Sequence, residues 1–295
     1  MSKLLLIDGN AMMHRAYHAL PPLTNIKNEP IQAVYGFFSM LFNVLQDQKP
    51  THLVVCFDRG APTIRQSMYV GYHAHRPKMA DDFVPQVGII HDLLEKMNVA
   101  VFELDGYEGD DLIGTIAHES KNTEVVILTG DRDMLQLVNG HVKVLMPLVG
   151  ISKTVLFDEA KVEEKYGVKS SQFIDYKALI GDASDGYPGV TGIGPKTAAS
   201  LLQKYGTFED LYQKVGELPE KIGLKLATDA EQAALAKKLA TIITDVPIKF
   251  DIKKCLVSDF NIKNLREGFA EHGFKTLTAR IDAVFGKEKE QLGLL

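Results

Sequence analysis

Only two cysteines, Cys56 and Cys255, occur in 295 residues, too few for a disulfide framework, and Cys56 within LVVCF reads as a small buried hydrophobe. No apolar run approaches the roughly 18 residues that a membrane-spanning helix needs. The LLLI stretch before Asp8 is too short for a secretory signal, and there is no low-complexity tract. These absences lead us to expect a folded protein of a reducing cytoplasm. Excess positive charge is also missing: the net charge is −5, opposite to the usual footprint of a nucleic-acid binder.

What the chain has instead is carboxylate in an ordered pattern. Four apolar runs that read as buried strands each lead into acids: LLLID into Asp8, LVVCFD into Asp58, VAVFELDGYEGDD into Glu108, Asp110 and Asp111, and EVVILTGDRD into Asp131 and Asp133. A fifth cluster, IGDASDG, carries Asp182 and Asp185. The carboxyl ends of parallel strands share one edge of a sheet, so these nine acids are expected to converge in one crevice. Crowded carboxylates repel each other and have raised pKa values, which disfavours the pattern without a cation. Oxygen ligands with no Cys or His set beside them suit hard divalent ions, magnesium or manganese, and two such ions suit phosphodiester chemistry. The charge balance then reads differently. Without these nine, the other 29 acidic residues face 33 basic ones, and two bound divalent ions would bring the whole chain to about −1.

Apolar runs alternate with helical patterns such as IQAVYGFFSMLFNVLQDQ and FVPQVGIIHDLLEKMN, which predicts a parallel α/β sheet with helices on both faces over residues 1–168. Short helices follow one another over 169–250 and predict a small all-α domain. Residues 251–295 form a C-terminal segment whose polar end, GKEKEQLGLL, is expected to fray. Between Asp58 and Phe83 an insert, about 59–83, carries Arg59, Arg65, Arg76 and Lys78 among Tyr69 and Tyr72 without apolar periodicity. Cations interleaved with aromatics suit a phosphate backbone and stacked bases, although a solvated loop has the same composition. The absence of a buried face predicts a mobile insert. PGVTGIGPKTAASLL, Pro188 to Leu202, predicts a Gly-rich hairpin whose following helix start could meet a phosphate; a plain helix–helix turn remains the alternative.

IDGN at Asp8, AVYGF at Ala33, FD at Asp58, ExDD at Glu108, TGDRD at Thr129, GDASD at Gly181 and PGVTGIGPKTA at Pro188, with TDVP and GFKTL further on, resemble the 5′-nuclease domains of bacterial DNA polymerase I, within the flap endonuclease family. The resemblance covers nearly the whole chain. It implies a PIN-like or resolvase-like sheet followed by a helix-hairpin-helix domain. It also implies structure-specific removal of 5′ flaps and RNA primers, with 5′ to 3′ exonuclease action, in replication and repair. By that resemblance Glu108, Asp110 and Asp111, with Asp8 and Asp58, hold one magnesium ion, and Asp131, Asp133, Asp182 and Asp185 serve a second. His73 and Arg76 would act at the scissile phosphate. Arg65, Tyr72, Lys78, Gly189, Gly192, Gly194, Lys196 and Thr197 would contact DNA, with a potassium ion on hairpin carbonyls. The insert would be an arch over a single-stranded 5′ end. A monomer is expected, with a DNA polymerase and a ligase as collaborators near the nucleoid.

Three positions depart from the family pattern. His73 stands where relatives carry lysine, and an imidazole of pKa near ~6.5 is mostly neutral where an ammonium is charged, so slower or more pH-sensitive cleavage is expected. Gly109 replaces an alanine, and Gly186-Tyr187 replace Asn-Ile. Three other readings remain open. A haloacid-dehalogenase-type phosphatase would need a second acid where Asn10 stands. A PIN-type RNA nuclease would lack the long helical region. A catalytically weakened flap-DNA-binding module would keep the hairpin, and His73 favours it.

Overall fold

The computed structural model describes residues 2–150 and 153–286. Strand β1 (Lys3–Asp8) turns Leu4 and Leu6 into one buried cluster and Leu5 and Ile7 into another, the pattern of a parallel strand covered on both faces. It is followed by α1 (Gly9–Ala19), α2 (Gln32–Gln48), β2 (His52–Cys56), α3 (Ile64–Met68), α4 (Val84–Lys96), β3 (Ala100–Phe102), α5 (Gly109–Glu119), β4 (Glu124–Leu128), β5 (Val142–Val149) and β6 (Lys153–Phe157). The strand order is β3-β2-β1-β4-β5-β6, parallel except for the β5–β6 pair. Leu6 pairs with Val54 on one side and with Ile127 on the other. The chain builds outward from β1 to β3, then resumes at β4 on β1's opposite side. The switch point of the sheet therefore lies between β1 and β4, where a crevice opens beyond the strand ends.

A helical region follows: α6 (Glu159–Tyr166), α7 (Phe173–Ile180), the short pair β7 (Gly181–Asp182) and β8 (Tyr187–Pro188), then α8 (Pro195–Tyr205), α9 (Phe208–Gln213), α10 (Glu220–Thr228) and α11 (Ala230–Ala240). Leu179, Leu202, Leu211 and Leu226 share one apolar cluster with Ile113 and Ile116 of α5, so this region is built onto one face of the sheet. Gly181 and Gly189 approach backbone to backbone. A Cβ on Gly189 would lie 2.3 Å from the Gly181 nitrogen, a contact only glycine permits.

The chain beyond residue 250 returns to the other face. Cys255 O accepts from Leu53 N at 2.8 Å, and α12 (Ile262–Glu271) and α13 (Lys275–Phe285) pack on α4 and α2. Phe269 meets Phe38 edge-on at 5.2 Å between ring centroids. Of the end expected to fray, 286–295, all but Gly286 lies outside the described residues. No helix among the described residues is long and apolar enough to cross a membrane.

Gly268 lies against α4, where a Cβ would lie 2.6 Å from Leu93 Cδ2. Leu93 is fully buried and cannot yield. Gly268→Val is expected to lower the unfolding free energy by about 2 kcal/mol, measured by urea denaturation. A variant as stable as the parent would contradict this account of the packing.

A candidate metal centre at the carboxyl edge of the sheet

Each acid reaches the crevice because a strand or helix ends there. Asp8 closes β1, Asp58 lies just past β2, Glu108 caps α5 with Asp110 in its first turn, and Asp131 follows the Thr129-Gly130 turn after β4. Together with Asp133 and Asp185 they line one cavity of about 530 Å³. Short hydrogen bonds fix the innermost groups. Thr129 Oγ1 donates to Asp8 Oδ2 at 2.7 Å and accepts from Asp131 N at 2.9 Å, so one hydroxyl sets both. Gly109 N donates to Asp58 Oδ1 at 2.6 Å, and Asn10 Oδ1 accepts from Asp58 N at 3.1 Å. The alanine-to-glycine departure at 109 thus lies against a candidate ligand: a Cβ there would be 3.3 Å from Asp58 Oδ1.

The electrostatics of this pit call for a cation. Burial, with the charges of Asp58 and Asp131 adding to it against the hydrogen bonds from Ala11 N and Thr129, pushes Asp8 up from an ordinary 3.8 to about 7. Burial and then Asp131 push Asp133 to about 7, even with Lys177 opposing. Asp110 is raised by burial and by Asp131, Asp8 and Asp58, and Asp131 is raised mainly by burial. Carboxyl groups that resist ionisation this strongly, all oxygen donors, fit a hard divalent ion.

The chain also brings its own cations, and these correct the sequence reading. Arg65 is not a surface contact for DNA: it is 4% exposed. Its guanidinium donates to both oxygens of Asp111 at 2.8 Å, to Glu108 Oε2 at 3.0 Å, and to the carbonyls of Leu239 and Thr241 at 2.8 and 2.6 Å. Every donor direction of the fork is taken. Asp111, which also accepts from Ile243 N at 2.9 Å, has both oxygens on Arg65 and does not line the cavity; Asp182 lies off the lining as well, beside Asp133 and Asp185. Asp111 is the counter-ion of Arg65, and its place among the expected metal ligands is corrected accordingly. Tyr72, expected to stack on a base, is buried and donates to Glu108 Oε2 at 3.1 Å. The insert therefore has a buried side, formed where Arg65 and Tyr72 reach Glu108 and α11, contrary to the expected lack of one.

Lys177 was not anticipated. It lies on α7, 6% exposed, with its ammonium on Asp182 and 2.5 Å from Asp133 Oδ1. Burial works against its charge, but Asp133 and Asp182 outweigh burial and hold the ammonium above its usual pKa. A lysine amid FIDYKALI, five residues before Asp182, was the available signal. Asp182 and Asp185 are burdened by burial, yet end below the ordinary carboxylate range. Lys177 and Ser184 donate to the first, and His73 and Arg76 stabilise the second. His73, at φ +58°, donates its backbone N to Asp185 O at 2.9 Å, with its Nε2 3.1 Å from Oδ1. Arg76 Nη2 donates to the same oxygen at 2.9 Å.

The remaining expected DNA contacts are exposed or at the hairpin. Lys78, Gly192, Gly194 and Lys196 are exposed and Thr197 is half-buried. Gly194 caps α8, and a Cβ there would meet nothing within 4 Å. Lys225 Nζ donates to Gly192 O at 2.8 Å, Gln232 donates to Gly189 O, and Asp229 accepts from Thr191 N at 2.7 Å. An ammonium therefore already occupies one carbonyl where potassium was expected.

Asp8 has a folded-state pKa above its unfolded value, so its protonated form stabilises the fold. That contribution is complete below pH ~4 and is lost as pH rises through about 7. The shift is worth on the order of 4 kcal/mol. Asp182 and Asp185 have the opposite sign, and their contribution is lost only on acidification below the ordinary range. Metal-free protein is expected to lose thermal stability between pH 5 and pH 8, and Asp8→Asn to remove much of that loss; parallel curves would contradict the raised Asp8. Arg65→Met, which leaves two buried carboxylates without their cation, is expected to cost about 3–5 kcal/mol in urea unfolding. A loss below about 1 kcal/mol would place Arg65 at an ordinary surface pair.

Residues 3–167 match the family described as "5'-3' exonuclease, N-terminal resolvase-like domain", and residues 168–263 match "5'-3' exonuclease, C-terminal SAM fold". The chain is 39% identical to DNA polymerase I of Caldicellulosiruptor bescii over 283 residues, 95% of this chain and 33% of that protein. It is also 39% identical to DNA polymerase I of Bacillus subtilis over 282 residues, 95% and 32% of the two chains. It thus spans about a third of the length of these relatives. Among solved structures, T5 5'-exonuclease with bound zinc ions superposes with a TM-score of 0.69 at 18% identity, covering 96% of this chain and 98% of that one. The catalytic core of Rad2 in complex with DNA substrate superposes at 0.58 and 15% identity, covering 96% and 92%. Human GEN1 in complex with Holliday junction DNA superposes at 0.62 and 13%, covering 96% and 71%. On the extent of the matching family description, this chain belongs to the 5′–3′ exonuclease family.

Proposed function

We propose that this chain is a structure-specific 5′ nuclease that hydrolyses phosphodiesters at 5′ flaps and 5′ ends of DNA, and at RNA primers on a DNA template. It would use two magnesium ions, for which manganese substitutes. The observation that carries this reading is the seven-carboxylate cavity at the switch point of the sheet, in which Asp8, Glu108, Asp110, Asp131 and Asp133 resist ionisation without a cation. Asp8, Asp58, Glu108 and Asp110 would hold one ion, and Asp131, Asp133, Asp182 and Asp185 the other, with Asp111 left to Arg65. Bound there, such a pair supplies a hydroxide and neutralises charge on the attacking and leaving oxygens. Arg76, its side chain half-exposed over the cavity, would meet the phosphate oxygens, with His73 beside it. A 5′ single strand would pass beneath the insert, with Lys78 along its backbone.

Duplex DNA would rest on the start of α8. Gly194 leaves open space there beside Lys196 and Thr197, and a helix start favours phosphate. A potassium ion at this hairpin would share its carbonyls with Lys225. The kinship with DNA polymerase I supports a polymerase and a ligase acting on the same junction. It also supports a cytoplasmic, nucleoid setting, and the chain would act there as a monomer.

Cleavage of a 5′-labelled flap duplex and a matched blunt duplex, with magnesium, with EDTA and with Asp131→Ala protein, tests the reading. The expected outcome is metal-dependent release of a short 5′ product near the junction, lost in EDTA and in the variant. Tight flap binding without cleavage in magnesium or manganese would instead make the chain a binding module. For the duplex contact, Gly194→Val is expected to leave the melting temperature within a degree or two and to weaken duplex binding about tenfold, since a side chain would fill the approach to phosphate. Unchanged affinity would move the contact elsewhere. His73→Lys is expected to change the pH–rate profile, and superimposable profiles would remove His73 from the phosphate.

A further inference from the structure

Asp133, Asp182 and Asp185 are the one group of three carboxylates, among the described residues, whose oxygens lie within 4.8 Å of one another. Two of them, Asp133 and Asp182, are held together by a cation that belongs to the chain. The Lys177 ammonium touches Asp182 Oδ2 and stands 2.5 Å from Asp133 Oδ1. Asp133 Oδ1 is buried, and among the described residues the Lys177 ammonium is the one donor that stands against it. The Tyr187 hydroxyl is buried beside the same acids with no partner at all, on a residue 3% exposed. A phenol donor without an acceptor, enclosed beside a carboxylate trio, fits a hydrated ion, which brings a water oxygen, better than it fits an ammonium, which brings no acceptor. A hard ion takes oxygen ligands at about 2.0–2.1 Å and keeps water that a phenol can hydrogen-bond.

We infer that Lys177 is the resident cation of the second metal position, and that its ammonium must leave Asp133 and Asp182 when a divalent ion binds there. This inference rests on the two-ion reading of the cavity. The four-carbon stem of lysine allows such a withdrawal without movement of α7. Exchange replaces one positive charge by two among three carboxylates, and it makes the second ion bind against a competitor that is always present. Among the described residues, no lysine or arginine is paired to Asp8, Asp58 or Asp110 of the first position, where Arg65 meets Glu108 alone. Divalent ions would therefore fill the two positions in order.

The test uses the native, DNA-free protein, an amine-acetylating reagent and Mn²⁺ counted by electron paramagnetic resonance, with each lysine's modification mapped by mass spectrometry. Lys177 is expected to be protected without Mn²⁺ and to become severalfold more reactive as the second equivalent binds, while exposed Lys78 and Lys196 stay constant. Two bound Mn²⁺ with Lys177 as protected as before would overturn the inference and leave the two-ion reading intact. Fewer than two bound at saturation would overturn that reading and the inference with it. Lys177→Met adds a second readout. Its second Mn²⁺ is expected to bind about tenfold tighter than in the parent, with a larger Mn²⁺-induced rise in melting temperature, because a like charge has been removed from contact distance. An isotherm identical to that of the parent would likewise overturn the inference.

Discussion

Asp8, Asp110 and Asp131 crowd together at the carboxyl ends of β1 and β4 and neighbouring elements, where Asp131 raises the cost of ionising both Asp8 and Asp110 and Asp8 adds to that of Asp110, and much of the surrounding structure counters this repulsion. Arg65 reaches in from the insert and ties Glu108 and Asp111 to the carbonyls that end α11. Lys177 reaches in from α7 to Asp133 and Asp182. Arg76 and His73 take Asp185. Among the described residues, Asp8 and Asp58 keep only side-chain hydrogen bonds from Thr129, Ala11 and Gly109, and Asp131 one from Asp133 N. A buried ion pair contributes little net stability once desolvation is counted. The value of these cations lies in holding the acids in place in the ion-free protein, while the innermost acids are left for an ion.

The departures from the family pattern at 73 and at 186–187 prove to be one contact. His73 N bonds Asp185 O, a Cβ on Gly186 would lie 2.7 Å from Gly71 O, and the Tyr187 ring stacks on Tyr72 at 6.4 Å, with Tyr72 stacked in turn on His73 at 3.9 Å. A bulkier residue at 186 would push the insert off the hairpin, and Gly186 at φ +82° avoids this. The insert and the second carboxylate cluster are thereby joined by backbone, ring and charge.

The acids, the strands that carry them and the helical second half were legible because strand runs and Gly-Asp turns are local signals, and a parallel sheet brings strand ends together by topology alone. Arg65, Tyr72 and Asp111 were misread because their partners are remote. The Arg65 bond to Leu239 O spans 174 residues, and no local pattern separates a buried guanidinium from one meant for phosphate. Lys177 lay hidden in an apolar helix, where a lone lysine reads as a surface residue. The Tyr187 departure was visible but its contact was not, because Tyr187 and Tyr72 lie on segments more than a hundred residues apart.

Diffraction from crystals soaked in manganese, with anomalous maps calculated at the manganese edge, tests the central claim that this crevice is built around two divalent ions. The account predicts two peaks, one among Asp8, Asp58 and Asp110 and one among Asp133, Asp182 and Asp185, with Arg65 still on Asp111. Manganese bound elsewhere, or no peak in the crevice at saturating ion, would contradict it.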